Sequence, residues 1–174
     1  MYENAVDADL AAIAALMNRA YRGTGWTSEG DLIAGDRTTA AFLREEMVER
    51  PEGQLLKWVA PGDATPLGCV WLEPTGDGGW YLGSFAADPD RQQAGLGRTM
   101  LAAAEQWVRA RGGTRVRMTV IHLRAELIAW YERRGYRRTG AIEPFPYDNH
   151  RLGTPRRDDL AFVVLEKALA TDMH

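Results

Sequence analysis

The stretch Asp88-Pro89-Asp90-Arg91-Gln92-Gln93-Ala94-Gly95-Leu96-Gly97-Arg98-Thr99 decides the fold of this chain. It follows an apolar segment with the composition of a strand, residues 80–87, and leads into an amphipathic helix predicted at about residues 96–111. Gly95 and Gly97 stand at the entry of that helix, where unpaired backbone N–H groups and the helix dipole attract anions. Because glycine has no Cβ, a pyrophosphate can approach the backbone closely there. The stretch is typical of a phosphate-binding turn that joins a strand to a helix.

Two better-known phosphate motifs do not fit this turn. A Walker A loop requires Lys and then Ser or Thr after its last glycine, whereas Gly97 is followed by Arg98 and Thr99. A dinucleotide fingerprint requires Gly or Ala at its sixth position, which is Met100 here. The pattern that remains is Gln92-x-x-Gly95-x-Gly97 after a strand. On its own this pattern is a weak signal, because glycines that only permit a tight bend look the same.

The segments around the turn predict an α/β protein. Periodicity and turn residues indicate helices at about residues 9–21, 38–49, 96–111 and 124–134, and strands at about 54–60, 67–73, 80–87, 116–121, 136–141 and 160–166. Residues 23–36 are interpreted as a loop with short helical pieces. Strands come first and a β–α–β–α–β alternation follows, which favours a mixed sheet with helices packed on it. We expect residues 1–174 to form one domain.

Composition excludes several classes of protein. The chain has 174 residues, 45% of them hydrophobic, which suits one domain with a sizeable core. A single cysteine, Cys69, rules out an internal disulfide framework. No apolar run is long enough to span a membrane and the first residues lack signal-peptide character, so we expect a cytoplasmic protein without membrane contact. The net charge of −3 argues against general nucleic-acid binding.

Charge is divided unevenly along the chain. Residues 1–90 carry 15 acidic and 6 basic side chains, whereas residues 91–174 carry 9 acidic and 15 basic ones. This asymmetry predicts that the second half meets an anion and the first half a cation. The alternative is that the arginines at positions 133, 134, 137 and 138 form only a solvated surface.

A second motif, Tyr131-Glu132-Arg133-Arg134-Gly135-Tyr136, lies downstream of the turn. With both motifs in this order, the sequence resembles the GNAT superfamily of acyl-CoA-dependent N-acyltransferases over at least residues 54–136. That family has a turn of the form Arg/Gln-x-x-Gly-x-Gly/Ala and a later Tyr-Glu-Lys-x-Gly-Phe. Two positions depart from it, since the family's Asn falls on Arg124 and its Ala on Leu127. Because that Asn usually helps to hold the cofactor, we expect Arg124 to contact either the cofactor or a substrate carboxylate instead.

The resemblance implies a single-domain α/β fold whose mixed, mostly antiparallel sheet splays between two central parallel strands, flanked by about four helices. It also implies acetyl-CoA as co-substrate, lying across the splayed ends of strands 80–87 and 116–121, and no metal. The backbone of Phe85 and Ala87 is then expected to pair with the pantetheine arm. The turn is expected to hold the pyrophosphate through Gln92, Gln93, Ala94, Gly95, Leu96, Gly97, Arg98 and Thr99.

The catalytic residues follow from the same resemblance. Tyr131 is implied as a cofactor-contacting general acid that protonates the departing thiolate of CoA; the alternative is a core tyrosine. The general base is expected at Glu73, with His122 and Ser84 as weaker candidates, although Glu73 also suits a solvent-facing position. Cys69 is expected to be a buried and inert thiol.

Four side chains are expected to bind the acceptor, namely Trp26, Glu29, Trp80 and Tyr147. Such an acidic and aromatic lining favours a small amine. The predicted function is transfer of an acetyl group from acetyl-CoA to a primary amine of a small-molecule or amino-acid-like acceptor, by direct attack in a ternary complex. Two alternatives stay open: acetylation of a protein N-terminus or lysine, and a catalytically silent module that senses acyl-CoA. Dimers are common in the family, so a homodimer is a further expectation.

Overall fold

The computed structural model describes residues 1–22, 29–149, 151 and 153–170. This part of the chain contains four α-helices, which are α1 (Leu10–Arg22), α2 (Ala40–Glu49), α3 (Leu96–Ala110) and α4 (Ala125–Glu132). Its strands are β1 (Tyr2–Asn4), β2 (Ile33–Ala34), β3 (Gln54–Trp58), β4 (Gly68–Pro74), β5 (Gly79–Ala87), β6 (Arg115–Ile121), β7 (Arg137–Pro144), β8 (Thr154–Pro155) and β9 (Ala161–Ala168). Short 3-10 helices lie at Asp7–Asp9, Glu29–Asp31 and Pro89–Ala94.

Seven of these strands form one sheet in the order β1-β3-β4-β5-β6-β9-β7. Among the described strands of this sheet, the central pair β5–β6 is parallel and every other neighbouring pair is antiparallel. The parallel pairing begins with Gly79 opposite Arg115 and ends with Tyr81 opposite Arg117. The sheet is therefore open between the C-terminal halves of β5 and β6. This confirms the predicted mixed, mostly antiparallel sheet that splays between two central parallel strands.

Helices cover both faces of the sheet because β4 is apolar on both sides. Val70 and Leu72 belong to a core shared with α3 and α4, whereas Cys69 and Trp71 belong to a second core shared with α1 and α2. Successive side chains of a strand point to opposite faces, so an unbroken run of buried residues fits a central strand. The two helical layers fix β4 and β5 from both sides, and they thereby fix the edge at which the sheet opens.

The predicted helices and long strands are all present, and their ends differ by at most three residues from the prediction. The sequence does not reveal β1, β2 or β8, because two or three residues show no recognisable period. Pairing with β3 makes β1 an edge strand, and β2 pairs with β8 in a separate two-stranded sheet. Among the described residues, no helix combines the length and the apolar character that crossing a membrane requires.

Candidate active site

A cavity of about 380 Å³ lies where β5 and β6 part, a volume typical of small-molecule sites. Its walls come from both strands, α1, α2, β4, α4 and the segment around the end of β7. The aromatic and aliphatic part of the lining includes Tyr21, Trp71, Tyr81, Leu82, Phe85, Met118, Leu127, Tyr131, Phe145 and Phe162. The polar lining consists mainly of charged side chains, which are Arg22, Glu29, Arg37, Glu46, Arg50, Arg124 and Glu143.

A β-bulge in β5 forms part of this wall. Cys69 pairs with Ala86 and Trp71 with Gly83, so that one residue of β4 faces two residues of β5, Ser84 and Phe85. Ser84 has a φ of 49°, which is unusual for a residue with a side chain and costs about 1 kcal/mol or more. The Ser84 carbonyl accepts a hydrogen bond from Cys69 Sγ at 3.3 Å, and a second bond from α1 fixes the neighbouring carbonyl of Phe85. Hydrogen bonds from β4 and from α1 therefore hold the strained bulge in place.

The glycine turn passes from the short helix Pro89–Ala94 into α3 at Gly95, where φ is 77° and ψ is 19°. A glycine adopts this left-handed conformation without the steric cost that a Cβ brings. A Cβ built on Gly95 would have Arg98 Nη2 as its nearest neighbour at 3.9 Å, and one built on Gly97 would lie 3.7 Å from Trp130. Open space in front of the first amides of a helix suits a phosphate. The side chains of Gln92, Gln93 and Ala94 lie outside the described part of the turn, and Arg98 and Thr99 are exposed.

Basic side chains of the second motif adjoin this turn. The Arg134 guanidinium stacks on Trp130 at 3.8 Å, and its Nη1 donates to the Trp130 carbonyl at 2.8 Å. Its Nε is buried and donates to no described residue. Burial lowers the pKa of Arg134, and repulsion from Arg133 and Arg98 lowers it further. A cluster of like charges beside open amides is an arrangement that an anion stabilises, so the residues present fit the pyrophosphate of acetyl-CoA.

Tyr131 lies on α4 with its side chain in the cavity wall, where it is 5% exposed. Its ring packs edge-on against Trp130 at 5.1 Å and Tyr136 at 5.7 Å. Burial raises the pKa of the Tyr131 hydroxyl well above its ordinary value, and the smaller effect of Arg124 opposes that rise. The hydroxyl is therefore protonated at neutral pH, as a proton donor must be. Tyr131 is thus both a core residue and a cavity residue, and its role as general acid stays a prediction.

Arg124 and Glu29, two of the predicted site residues, meet in the cavity wall. Arg124 Nη1 lies 3.7 Å from Glu29 Oε1, and Arg22 Nε donates to Glu29 Oε2 at 2.9 Å. The Glu29 carboxylate thus lies between two guanidinium groups and is 6% exposed. Its negative charge is balanced by these two arginines. The sequence instead predicts that Glu29 binds the acceptor.

Glu73, the predicted base, is engaged elsewhere. Both of its carboxylate oxygens accept hydrogen bonds from Arg50, one from Nε at 3.2 Å and one from Nη2. Arg50 lines the cavity and Glu73 does not. Glu73 lies near the end of β4, opposite Tyr81, where it forms an ion pair with Arg50.

Several other predicted residues are not brought to the cavity. Trp80 packs edge-on against Trp107 of α3, with ring centroids 5.3 Å apart, because it lies at the start of β5 where the sheet is still closed. The Tyr147 hydroxyl donates to the Arg157 carbonyl at 3.0 Å and accepts from the Leu160 amide at 2.8 Å, which ties two loops together.

Of the other residues predicted from the sequence, some line the cavity and others do not. His122 Nε2 lies 2.8 Å from the Asp159 carbonyl and outside the cavity lining, whereas Ser84 lines the cavity. Ala87 is buried and pairs with Gly68 of β4. Cys69 is fully buried, and burial raises the pKa of its thiol to about 12, as expected of an inert cysteine. Trp26 lies outside the described residues.

Three charged cavity residues are missed by the sequence reasoning, and they are Arg37, Glu46 and Arg50. Glu46 and Arg50 are four residues apart in sequence, a spacing that places side chains on one side of a helix and its end. No comparable signal marks Arg37, which precedes α2. Only the packing of α2 around the opening shows that these side chains share one site.

Three features agree with the acyltransferase class that the sequence resembles. The sheet opens between two parallel strands, a phosphate-type turn follows the first of them, and a buried tyrosine lies beside the opening. The family model described as "Acetyltransferase (GNAT) family" matches residues 10–136. The chain therefore belongs to the GNAT family of acetyltransferases, enzymes that take an acyl group from acetyl-CoA or another acyl-CoA. A comparison with curated protein sequences gives no significant match.

Solved structures share the fold at low sequence identity. The ribosomal-protein-S18-alanine N-acetyltransferase of Escherichia coli is 18% identical, with 100% of this chain and 98% of that chain covered and a TM-score of 0.69. The ribosomal-protein-alanine N-acetyltransferase of Brucella melitensis is 18% identical, with coverages of 97% and 99% and a TM-score of 0.67. An aminoglycoside 6'-acetyltransferase type Ii is 17% identical, with coverages of 99% and 99% and a TM-score of 0.66. These likenesses show the common fold, while their named acceptors differ widely.

Proposed function

We propose that this enzyme transfers an acetyl group from acetyl-CoA to the primary amine of a small-molecule or amino-acid-like acceptor, by direct attack in a ternary complex. One observation carries the proposal: the opening between β5 and β6 continues into a cavity lined by the Tyr131 side chain, the β5 bulge and charged residues of α2. Its volume of about 380 Å³ suits a small acceptor more than a protein segment.

Acetyl-CoA binding is assigned to backbone groups of β5 and of the glycine turn. The N–H groups of residues 93–98, with the side chains of Arg98 and Thr99, receive the pyrophosphate. Within β5, Phe85 and Ala87 are the proposed partners of the pantetheine arm. Because the Phe85 carbonyl accepts from the Tyr21 hydroxyl at 2.8 Å, we assign the Phe85 N–H to that role. The arm then runs along the edge of β5 that β6 leaves unpaired.

Acetyl transfer makes one C–N bond and breaks one C–S bond. The neutral amine attacks the thioester carbonyl, a backbone N–H of β5 near Ala87 stabilises the oxyanion, and the Tyr131 hydroxyl gives its proton to the departing sulfur. The amine loses one proton, which passes through water to a carboxylate, and a proton then returns to the Tyr131 phenolate so that both groups are restored. An alkyl ammonium with a pKa of about 10 must first be deprotonated, which costs about 4 kcal/mol at pH 7. A carboxylate within reach, directly or through one water, can accept the proton that the amine releases.

The proton acceptor is assigned to Glu46 or Glu143. Both line the cavity, and no ion pair or hydrogen bond involves either carboxylate among the described residues. Glu73, the base expected from the sequence, has both oxygens bound by Arg50. A carboxylate that faces the cavity is better placed to receive a proton from the acceptor through water.

The test is release of free CoA thiol from acetyl-CoA in the presence of a panel of amines and amino acids, with the acetylated product identified by mass spectrometry. Turnover of at least one small amine supports the proposal. A protein that acetyl-CoA stabilises against heat, yet that acetylates no member of the panel, is instead a binding module. Acetylation confined to peptide N-termini or lysine side chains assigns the enzyme to protein substrates.

A further inference from the structure

We infer that the acceptor carries a carboxylate close to its amine, and that Arg37 binds this carboxylate. The inference rests on the proposed function, since it names the class of acceptor for the same cavity. The cavity lining holds four arginines and three glutamates, which is not the simple acidic site expected for a plain amine.

Arg37 differs from the other arginines of the cavity. Arg22 and Arg124 are paired with Glu29, and Arg50 is paired with Glu73. In the described part of the chain no carboxylate lies within ion-pair distance of Arg37, whose guanidinium carbon lies 5.1 Å from the Tyr21 ring centroid. A half-buried guanidinium in a small-molecule cavity, stacked on an aromatic ring and without a carboxylate, is arranged to receive an anion.

The backbone of Arg37 is fixed before any ligand arrives. Its N–H donates to Asn18 Oδ1 at 2.7 Å, and the N–H of Thr38 donates to the same oxygen at 3.1 Å. Asn18 Nδ2 donates in turn to the Thr38 carbonyl at 3.1 Å. These bonds attach the segment before α2 to α1. A carboxylate that binds Arg37 therefore meets a positioned donor and orders less of the chain.

Arg37 lies close to the strained bulge of β5. The Tyr21 hydroxyl bonds to the Phe85 carbonyl and the Cys69 thiol to the Ser84 carbonyl. Burial raises the pKa of both Tyr21 and Cys69, and the positive charge of Arg37 opposes the rise at each. Its charge thus acts beside the two side chains that hold the carbonyls of the bulge. Because the whole cavity measures about 380 Å³, an acceptor whose carboxylate binds Arg37 holds its amine close to that carboxylate.

Trp71 supplies an independent observation in the same wall. Its indole is 2% exposed, and Nε1 is buried with no hydrogen-bond partner among the described residues. The Trp71 ring lines the same cavity, and the Arg50 guanidinium lies over it at 5.4 Å from the ring centroid. Trp71 lies two residues from Cys69 on the same side of β4, the side that Arg37 approaches. Glu46 and Glu143, which line the same cavity, provide negative charge for the ammonium group of the acceptor.

The experiment measures binding of reaction products, because binding requires no turnover. N-acetylglycine, N-acetylleucine and N-acetylphenylalanine, each with its matching carboxamide, are titrated calorimetrically into protein saturated with CoA. Within each pair the side chain is the same and only the carboxylate differs. The wild-type protein should bind at least one acid about 10- to 100-fold more tightly than its amide, the range expected for hydrogen bonds between charged groups.

Three variants assign that preference to Arg37. Arg37→Gln should abolish the preference and leave the affinity for the amide unchanged, whereas Arg37→Lys should retain part of it. The matched control is Arg44→Gln, which removes an exposed cation of α2 that pairs with Asp7 outside the cavity, and which should keep the whole preference. Absence of binding by every acid, equal binding of acid and amide, or a preference that survives Arg37→Gln overturns the inference.

Thiol release separates this inference from the proposed function. If acids bind through Arg37 but no amine is acetylated, the proposed function fails and the carboxylate site stands. If amines and amides are acetylated as well as amino acids, the function stands and the inference fails. A preference for succinyl-CoA over acetyl-CoA that disappears in Arg37→Gln would assign this arginine to the acyl chain, and would likewise overturn the inference.

Discussion

The glycine turn and the acceptor cavity both adjoin β5, yet they are built in different ways. The turn is one continuous segment, and the groups assigned to the cofactor are mostly its backbone amides. The cavity is assembled from side chains of strands, helices and a loop that are far apart in sequence. The geometry of a site made of backbone amides depends on the positions of the glycines. The geometry of a site made of side chains depends on how distant elements pack. The comparison predicts that substitutions in the two regions have different kinds of effect.

The largest effect is expected at Tyr131, where the cavity meets the reacting atoms. Tyr131→Phe removes the proton donor and should lower kcat about 10- to 10³-fold, while the KM for acetyl-CoA changes little. Because burial raises the pKa of Tyr131 above its ordinary value of 10.0, its ionisation should not reduce wild-type activity below about pH 10. Steady-state kinetics across pH check both statements. Full activity in Tyr131→Phe would make the hydroxyl a structural group only.

The next effect compares two carboxylates that sequence reasoning cannot rank. Glu46→Gln should lower kcat/KM for the amine about tenfold and weaken its dependence on pH, because a cavity carboxylate can accept the proton. Glu73→Gln should have the smaller effect, since it loses mainly the ion pair with Arg50. Kinetics of the two single variants on one amine decide the order. A larger loss in Glu73→Gln would restore Glu73 as the base.

Within the turn, two glycines should respond in opposite directions. Gly95→Ala introduces a Cβ at a φ of 77° and should destabilise the fold by about 1 kcal/mol. Gly97→Ala lies in the first turn of α3 with its Cβ 3.7 Å from Trp130, an ordinary contact, and should stabilise by about 0.5 kcal/mol. Urea unfolding of the free protein measures both. Equal losses would mean that the turn needs space at Gly97 even without a ligand.

The smallest effect concerns the bulge that joins the two regions. Ser84→Gly relieves a φ of 49° and should raise the free energy of unfolding by up to about 1 kcal/mol. The thermal unfolding midpoint, measured beside that of Ser84→Ala, reports the change. A loss of stability in the glycine variant would show that the Ser84 side chain stabilises the bulge more than its backbone conformation costs.

Prediction from sequence succeeded for features that are determined by residues close together in the chain. Helical spacing located α3, and a strand followed by Gly95 and Gly97 located the turn, because both patterns are contained in neighbouring residues. It failed for Trp80 and Tyr147, whose aromatic character fits a pocket as well as a core. It also named Glu73 as the base, since nothing in the sequence shows that Arg50 binds both oxygens of Glu73.

By itself the sequence determined the order of elements, the glycine turn and the motif that carries Tyr131, and with these the family of the protein. The tertiary structure decided which charges face the cavity and which are paired. The sequence does not show which partners Arg37, Arg50 and Arg124 have, yet the last two are paired with glutamates and Arg37 lies over the Tyr21 ring. The physical reason is that helix and turn formation depend on neighbouring residues, whereas the pairing of a charge depends on which distant element packs beside it.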